Sequence, residues 1–337
     1  MSKKRIDVHF HAIASEAYAI LTDLGIHEVG SVQLPQWNEI ETLAFMDRNL
    51  IETAILSTSD FPIPSSALPQ IHQIARVSND FYADLIAKNP KRFGAFAALP
   101  LHDVEASLKE ISYALDTLHL DGVMLLSNYE GIYLGDPVIE PIMDELNRRK
   151  VVTFIHPGAP LVDPRMRLDL PIWLVEYPIN TTRAVTNLIV SGSFSRHADI
   201  HFILAHAGGA IPYITQRLLV GYLQQHEHMD PQTPLPLPEA IQKFQSFRKM
   251  MRRFYCDAAM STFPSTMSTL RTVIGTSHIL FGSDYPYAPE KVLQVSNKFL
   301  NNYPPLDFIG HNQIARQNAL GLFPRIAATH SEKGVYV

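Results

Sequence analysis

The chain has 337 residues, 46% apolar and 18% charged, which is ample material for one large core and excludes a disordered chain or a disulfide scaffold. Lysine plus arginine count 28 against 33 acidic residues, a net charge of −5 with no basic block, so nothing suggests a nucleic-acid footprint. No stretch approaches the roughly 18 apolar residues that span a bilayer.

The amino terminus, 1–5, is too short and polar for a signal-peptide core, so a cytoplasmic protein is expected. Short β-rich runs then alternate with helix-length segments along the whole chain. The first run is 5–11, and a long connection, 27–40, with Pro35 and Trp37, leads on to a second run at 53–59. A third covers 93–100, and Asp103 after it reads as the N-cap of a helix with Leu108, Ile111 and Leu115 on one face. The fourth run is 122–127. Asp136-Pro137 opens the next helix, whose inward stripe is Ile139, Ile142, Met143 and Leu146. Runs at 151–157 and 201–207 are each followed by a helical segment, 181–191 and 211–225. A Pro- and Gln-rich stretch, 226–240, with Pro231, Pro234, Pro236 and Pro238, precedes one more helical run. Runs at 253–259 and 279–285 complete the series, and the only cysteine, Cys256, falls in the first of them as a buried structural thiol.

Most runs are continuously apolar, as parallel strands packed on both faces are. Eight strand–helix units predict an α/β fold closed into a (β/α)8 TIM-type barrel, one domain over 1–337 with insertions near 27–40 and 226–252. No GxGxxG or P-loop follows the first strand, which argues against a dinucleotide fold.

Barrel enzymes carry their chemistry at the C-terminal ends of the strands. Here those ends hold His9 and His11, then His156, His206 and Asp284. Alternate residues of a strand share a face, so His9 and His11 point together into the barrel mouth. With His156 and Asp284 they form a site of three nitrogens and one oxygen for one divalent metal ion. Zinc suits it best, and manganese, iron or cobalt are compatible. His206 is a fifth ligand or, in the preferred reading, a general acid/base beside the metal. Gly208 and Gly209 either let the backbone approach a ligand or only start a helix. Trp37, Phe10, Trp173 and Tyr287 are substrate-lining candidates by position, with packing as the plain alternative. His226 and His228 share HxH spacing but lie in the polar insertion and are assigned no chemistry.

At these residues the chain resembles the amidohydrolase superfamily. Its nearest likeness is to the branch of aminocarboxymuconate-semialdehyde decarboxylase and the ortho-hydroxybenzoate and methylsalicylate-type decarboxylases. The segments 45–48, 180–184, 206–213, 281–286 and 318–323 carry the resemblance, and Leu34 to Asn38 looks like the methylsalicylate type. The binuclear members hold a carboxylated lysine at the end of strand 4, where this chain has Leu125, Leu126 and Ser127. The resemblance therefore implies one metal.

It also implies a homodimer that binds a small-molecule carboxylate, while the charge balance and the lack of a spanning stretch give no nucleic acid or membrane partner. Arg217 matches an arginine that reaches the neighbouring subunit's substrate in the muconate enzymes; an exposed helix charge is the alternative. No counterpart of their second substrate-binding arginine is present, which points to a small aromatic or enol monocarboxylate. The expected reaction is non-oxidative decarboxylation, with His206 and Asp284 handling the proton. Hydrolysis of a lactone, ester or amide by the same mononuclear site is the alternative, and a non-catalytic metal-binding scaffold is a third.

Overall fold

The computed structural model describes residues 4–161, 168–226 and 236–331. Eight strands form one sheet in sequence order: β1 (Arg5–His11), β2 (Ile51–Ser57), β3 (Phe93–Ala97), β4 (Gly122–Leu126), β5 (Val152–His156), β6 (His201–Leu204), β7 (Tyr255–Asp257) and β8 (Ile279–Leu280). Every neighbouring pair is parallel. The chain just after β8 returns to β1: Asp7 bridges Phe281, Phe10 bridges Tyr285, and the Asp284 amide donates to the His9 carbonyl at 2.9 Å. The sheet is thereby a (β/α)8 barrel. All eight predicted runs are strands, although every one after the first stops before its predicted end, the last by the most.

Ile55, Phe96, Phe154, Ile203 and Leu280 fill the barrel interior, joined by Phe323 and Ile326 from the C-terminal helices. A larger apolar layer, including Leu56, Phe93, Leu125, Phe202 and Ile279, lies between strands and helices. The Asp103 cap forms as predicted, its side chain accepting from the Ala106 amide at 3.0 Å ahead of helix Val104–Ser112. Asp136 likewise accepts from the Val138 amide at 3.0 Å. Cys256 is buried, and burial pushes its thiol pKa well up.

β1 is not a simple alternating strand. Asp7 pairs with Ala54 and Phe10 with Leu56, so Val8 and His9 together face the single residue Ile55. This β-bulge resets the alternation. Ile6 and Val8 pack in the interior cluster below it, and His9 and His11 turn into the mouth above it.

The connection after β1 folds into a two-stranded ribbon, Glu28–Val29 against Val32–Gln33, with Gly30 and Ser31 both at positive φ in its tip. Such a tip matches the twist of the flanking strands. Ser31 Oγ accepts from the Ile172 amide at 3.3 Å, tying the ribbon to helix Ile172–Val190. That helix begins well before the predicted 181 and accommodates Pro178 in its interior. Of the second insertion, Leu237–Met251 is a helix, while His228, Pro231 and Pro234 lie outside the described residues. Among the described residues no helix is long and apolar enough to cross a membrane.

Candidate metal centre

Each histidine of the site has one ring nitrogen engaged. His9 Nδ1 donates to Asp257 Oδ2 at 2.9 Å, His11 Nδ1 to the Thr58 carbonyl at 2.7 Å and His156 Nδ1 to the Pro157 carbonyl at 2.9 Å. With Nδ1 protonated in all three, the Nε2 atoms carry lone pairs, the tautomer that a metal ligand needs. These lone pairs converge. His9 Nε2 lies 3.2 Å from His11 Nε2, and Asp284 Oδ1 lies 3.3 and 3.4 Å from them. His9, His11, His156 and Asp284 each offer a ligand atom, all within 4.8 Å of one another, and all four residues are buried.

Two imidazole lone pairs facing each other at hydrogen-bond distance repel unless a proton or a cation lies between them. The electrostatics agree. Burial opposes charge on His9, but the carboxylates of Asp257 and Asp284 outweigh it and raise its pKa to about 10. Burial lowers His11 and takes His156 well below the ordinary imidazole value. Burial works against Asp284 ionisation too, yet the charge favoured on His9 and the closely placed His11 and His9 ring nitrogens hold it well below the usual carboxylate range. Two carboxylates and three imidazoles, with no buried lysine or arginine beside them among the described residues, make a donor set that fits one divalent cation. At the end of β4, Leu126 and Ser127 supply no ligand for a second ion.

His206 stands beside this group without joining it. Its ring is 4.7 Å from that of His9 and 6.3 Å from that of His156, and its Nδ1 donates to the Ala259 carbonyl at 3.2 Å. Nε2 is the ring nitrogen that this bond leaves over. His206, Ala207 and Asp284 all have positive φ, at 52°, 58° and 62°. Non-glycine residues adopt such angles at a cost of about 1 kcal/mol or more each, and they concentrate where a side chain must be aimed.

Asp257, at the end of β7, was not singled out in the sequence. One of its oxygens takes the His9 Nδ1 proton, while the other accepts from the His206 and Ala259 amides at 3.1 and 2.9 Å. One buried carboxylate thus holds both the ring of a metal ligand and the backbone of His206. A carboxylate ending a barrel strand was the readable signal, hidden by the apolar run around it.

Three of the sequence expectations change. Phe10 does not line the site: it is fully buried on the outer side of β1, with its ring 4.6 Å from Tyr285 and 6.1 Å from Phe45. It follows from the same alternation that turns its two histidine neighbours inward. Trp173 is 37% exposed in the first turn of its helix. Tyr177, one turn later, takes the inward place, its ring 6.3 Å from His156. Gly209 serves packing rather than ligand approach, since a Cβ there would fall 2.1 Å from the Pro178 carbonyl oxygen. Gly208 sits in the same turn at φ 74°.

Tyr287 lies at the site, 5.3 Å from the His11 ring. Trp37 packs edge-on against Phe81 at 5.2 Å, with its indole nitrogen buried and unpaired among the described residues. Arg217 is exposed on helix Ile211–His226, and the His226 ring packs against Tyr222 at 4.7 Å.

A family model described as amidohydrolase matches residues 6–325. Decarboxylase yanB of Aspergillus niger is 35% identical over 335 residues, covering 95% of this chain and 88% of that protein. The 6-methylsalicylic acid decarboxylase acuB of Aspergillus aculeatus is 32% identical, covering 96% of each. Among solved structures, a dihydroxybenzoic acid decarboxylase from Polaromonas with bound manganese and 2-nitroresorcinol has a TM-score of 0.74 at 21% identity, over 99% of this chain and 100% of that one. With the match running nearly end to end and the barrel and its rim residues in place, this chain belongs to the amidohydrolase family.

Proposed function

We propose that this chain is a metal-dependent, non-oxidative decarboxylase of a small aromatic or enol carboxylate, with ortho-hydroxybenzoates as the first substrates to test. The observation that carries this reading is a mononuclear His9, His11, His156 and Asp284 cluster with a separate imidazole, His206, at its edge. The identity of 32–35% to decarboxylases over nearly the whole chain supports it.

A bound divalent ion would orient the substrate's oxygens and stabilise the charge that develops as the carbon–carbon bond breaks. The chain's own residues handle the proton. In its imidazolium form, with Nδ1–H held by the Ala259 carbonyl, His206 delivers its Nε2 proton to the ring carbon that bears the carboxylate. The carbon–carbon bond then breaks, its electron pair returns to the ring, and CO2 leaves. Asp284 takes part in restoring the proton, and Asp257 keeps His206 and His9 in register through these steps. Burial of the four ligands keeps competing water out.

Zinc is our first choice of metal because three of the four donors are nitrogens. Manganese is the rival, as the ion in a decarboxylase of the same fold. Metal-loaded protein is expected to release CO2 from at least one ortho-hydroxybenzoate. Acid production from lactones or amides without CO2 would move the chain to the hydrolases and sink the decarboxylase reading.

We also propose a homodimer in which Arg217 serves the neighbouring subunit's site. Arg217 is exposed, and Tyr213 and Val220 on the same helix are 88% and 43% exposed. Substituting Arg217→Ala is expected to raise KM about tenfold or more, the scale of a lost charge-assisted hydrogen bond, while metal content stays the same. A monomeric mass in solution, or an unchanged KM, would remove this part of the proposal.

A further inference from the structure

One wall of the site is polar and is used by none of the steps above. Tyr177 is buried, with its ring 6.3 Å from that of His156, and its hydroxyl donates to Asp60 Oδ2 at 3.2 Å. Asp60 lies just past the end of β2, is 5% exposed, and also accepts from the Ala159 amide. Ala159 follows His156 closely in the chain. The same loop is held from its other side by Asn180, which donates to the Gly158 carbonyl and accepts from the Tyr133 hydroxyl. Burial raises the Asp60 pKa to about 6, and the Ala159 and Tyr177 hydrogen bonds oppose that rise by favouring the carboxylate.

The third part of the wall is Gly30, at the tip of the ribbon after β1. A Cβ on Gly30 would fall 2.7 Å from the Tyr177 hydroxyl oxygen and 3.0 Å from its ring, so the ribbon backbone lies directly against the phenol. Gly30 has φ +59°, which glycine adopts without strain. The hydroxyl is therefore fixed from two directions. Burial raises its pKa, and the nearby Asp60 and Asp284 carboxylates add to the rise. It stays protonated, its hydrogen is committed to Asp60, and its oxygen has only lone pairs to offer a ligand. Such a group accepts from a hydroxyl and disfavours a second carboxylate.

We propose that Tyr177 is a specificity-determining residue that reads a hydroxyl substituent on the ring of the bound acid, with Asp60 and Gly30 as positioning residues. This rests on the decarboxylase reading of the site. The probes are 2-nitrophenol and its singly hydroxylated ring isomers, in which the nitro group stands where the carboxylate would be and cannot leave as CO2. Their affinities are measured by calorimetry on metal-loaded protein. The isomer that binds best relative to 2-nitrophenol is expected to lose about tenfold of that advantage in Tyr177→Phe, as for one neutral hydrogen bond. Asp60→Asn, which keeps the shape and one acceptor oxygen, is expected to lose a smaller part of the same ratio. An affinity ratio that both substitutions leave unchanged overturns the assignment of Tyr177 alone. Failure of the unmodified, metal-loaded protein to bind any of the probes overturns the underlying reading of the site, and this inference with it.

Discussion

Protein carrying His206→Ala is expected to keep its metal and lose turnover by about two to four orders of magnitude, the range that general acid–base catalysis contributes. The geometry separates the two properties. The four ligand atoms of His9, His11, His156 and Asp284 lie within 4.8 Å of one another, and His206 is not one of that set. His206 does approach His9 and Asp257 closely enough to form a second potential group, but His9 Nδ1 and Asp257 are already engaged with each other. What remains available on His206 is Nε2, since Nδ1 is held by the Ala259 carbonyl. Its backbone amide bond to Asp257 survives substitution by alanine, so the second partner of that carboxylate is kept. Metal-to-chain ratios and kcat measured on the same preparation check both halves. Loss of metal from His206→Ala would make it a ligand, and full turnover would end its role in proton transfer.

The barrel and its metal site were legible because both depend on strong local signals. Eight apolar runs alternate with amphipathic segments, and the rim residues sit where each run gives way to Gly, Pro or polar residues, as at His156 before Pro157-Gly158. The pairing of His9 with His11 survives the bulge at Val8–His9 because the register slip ends at His9 and the strand alternates regularly from there to His11. The slip itself could not be read, since it is set by how Ile55 of the neighbouring strand meets two residues at once.

The substrate walls were harder to read. Phe10 and Trp173 were chosen for being aromatic and near the motif, but position in sequence does not give the direction of a side chain. A strand's alternation turns Phe10 outward, and helix phase puts Tyr177 inward where Trp173 is half in solvent. Asp257 and Asp60 act on residues far away in the chain. Asp257 reaches back to His9 across 248 positions, a contact that only closure of the barrel creates. Gly209 shows the same limit: its positive φ belongs to a turn, but its lack of a Cβ is required by the Pro178 carbonyl of another helix.

Asp284→Ala is expected to abolish metal retention and turnover together, with kcat falling by at least about four orders of magnitude, because it removes a ligand and a proton carrier in one change. Asp284 is the one carboxylate oxygen among three nitrogen donors, and it contributes the negative charge that faces the metal position directly. Without it, His9 Nε2 and His11 Nε2 still face each other at 3.2 Å, and Asp257 still favours charge on His9. The remaining pair then satisfies itself with a proton rather than a cation, which also blocks the Nε2 atom that a metal would use. Asp284→Asn keeps the volume and one oxygen but not the charge, and is expected to fall between the two, retaining weakened metal binding with turnover still lost. Two observations in combination decide the matter: metal content after dialysis against micromolar zinc or manganese, and CO2 release at saturating metal. An Asp284→Ala protein that holds stoichiometric metal would show that the three histidines suffice, and would leave Asp284 with the proton alone. One that regains turnover when metal is raised would show the reverse, that Asp284 matters for holding the ion and not for the reaction.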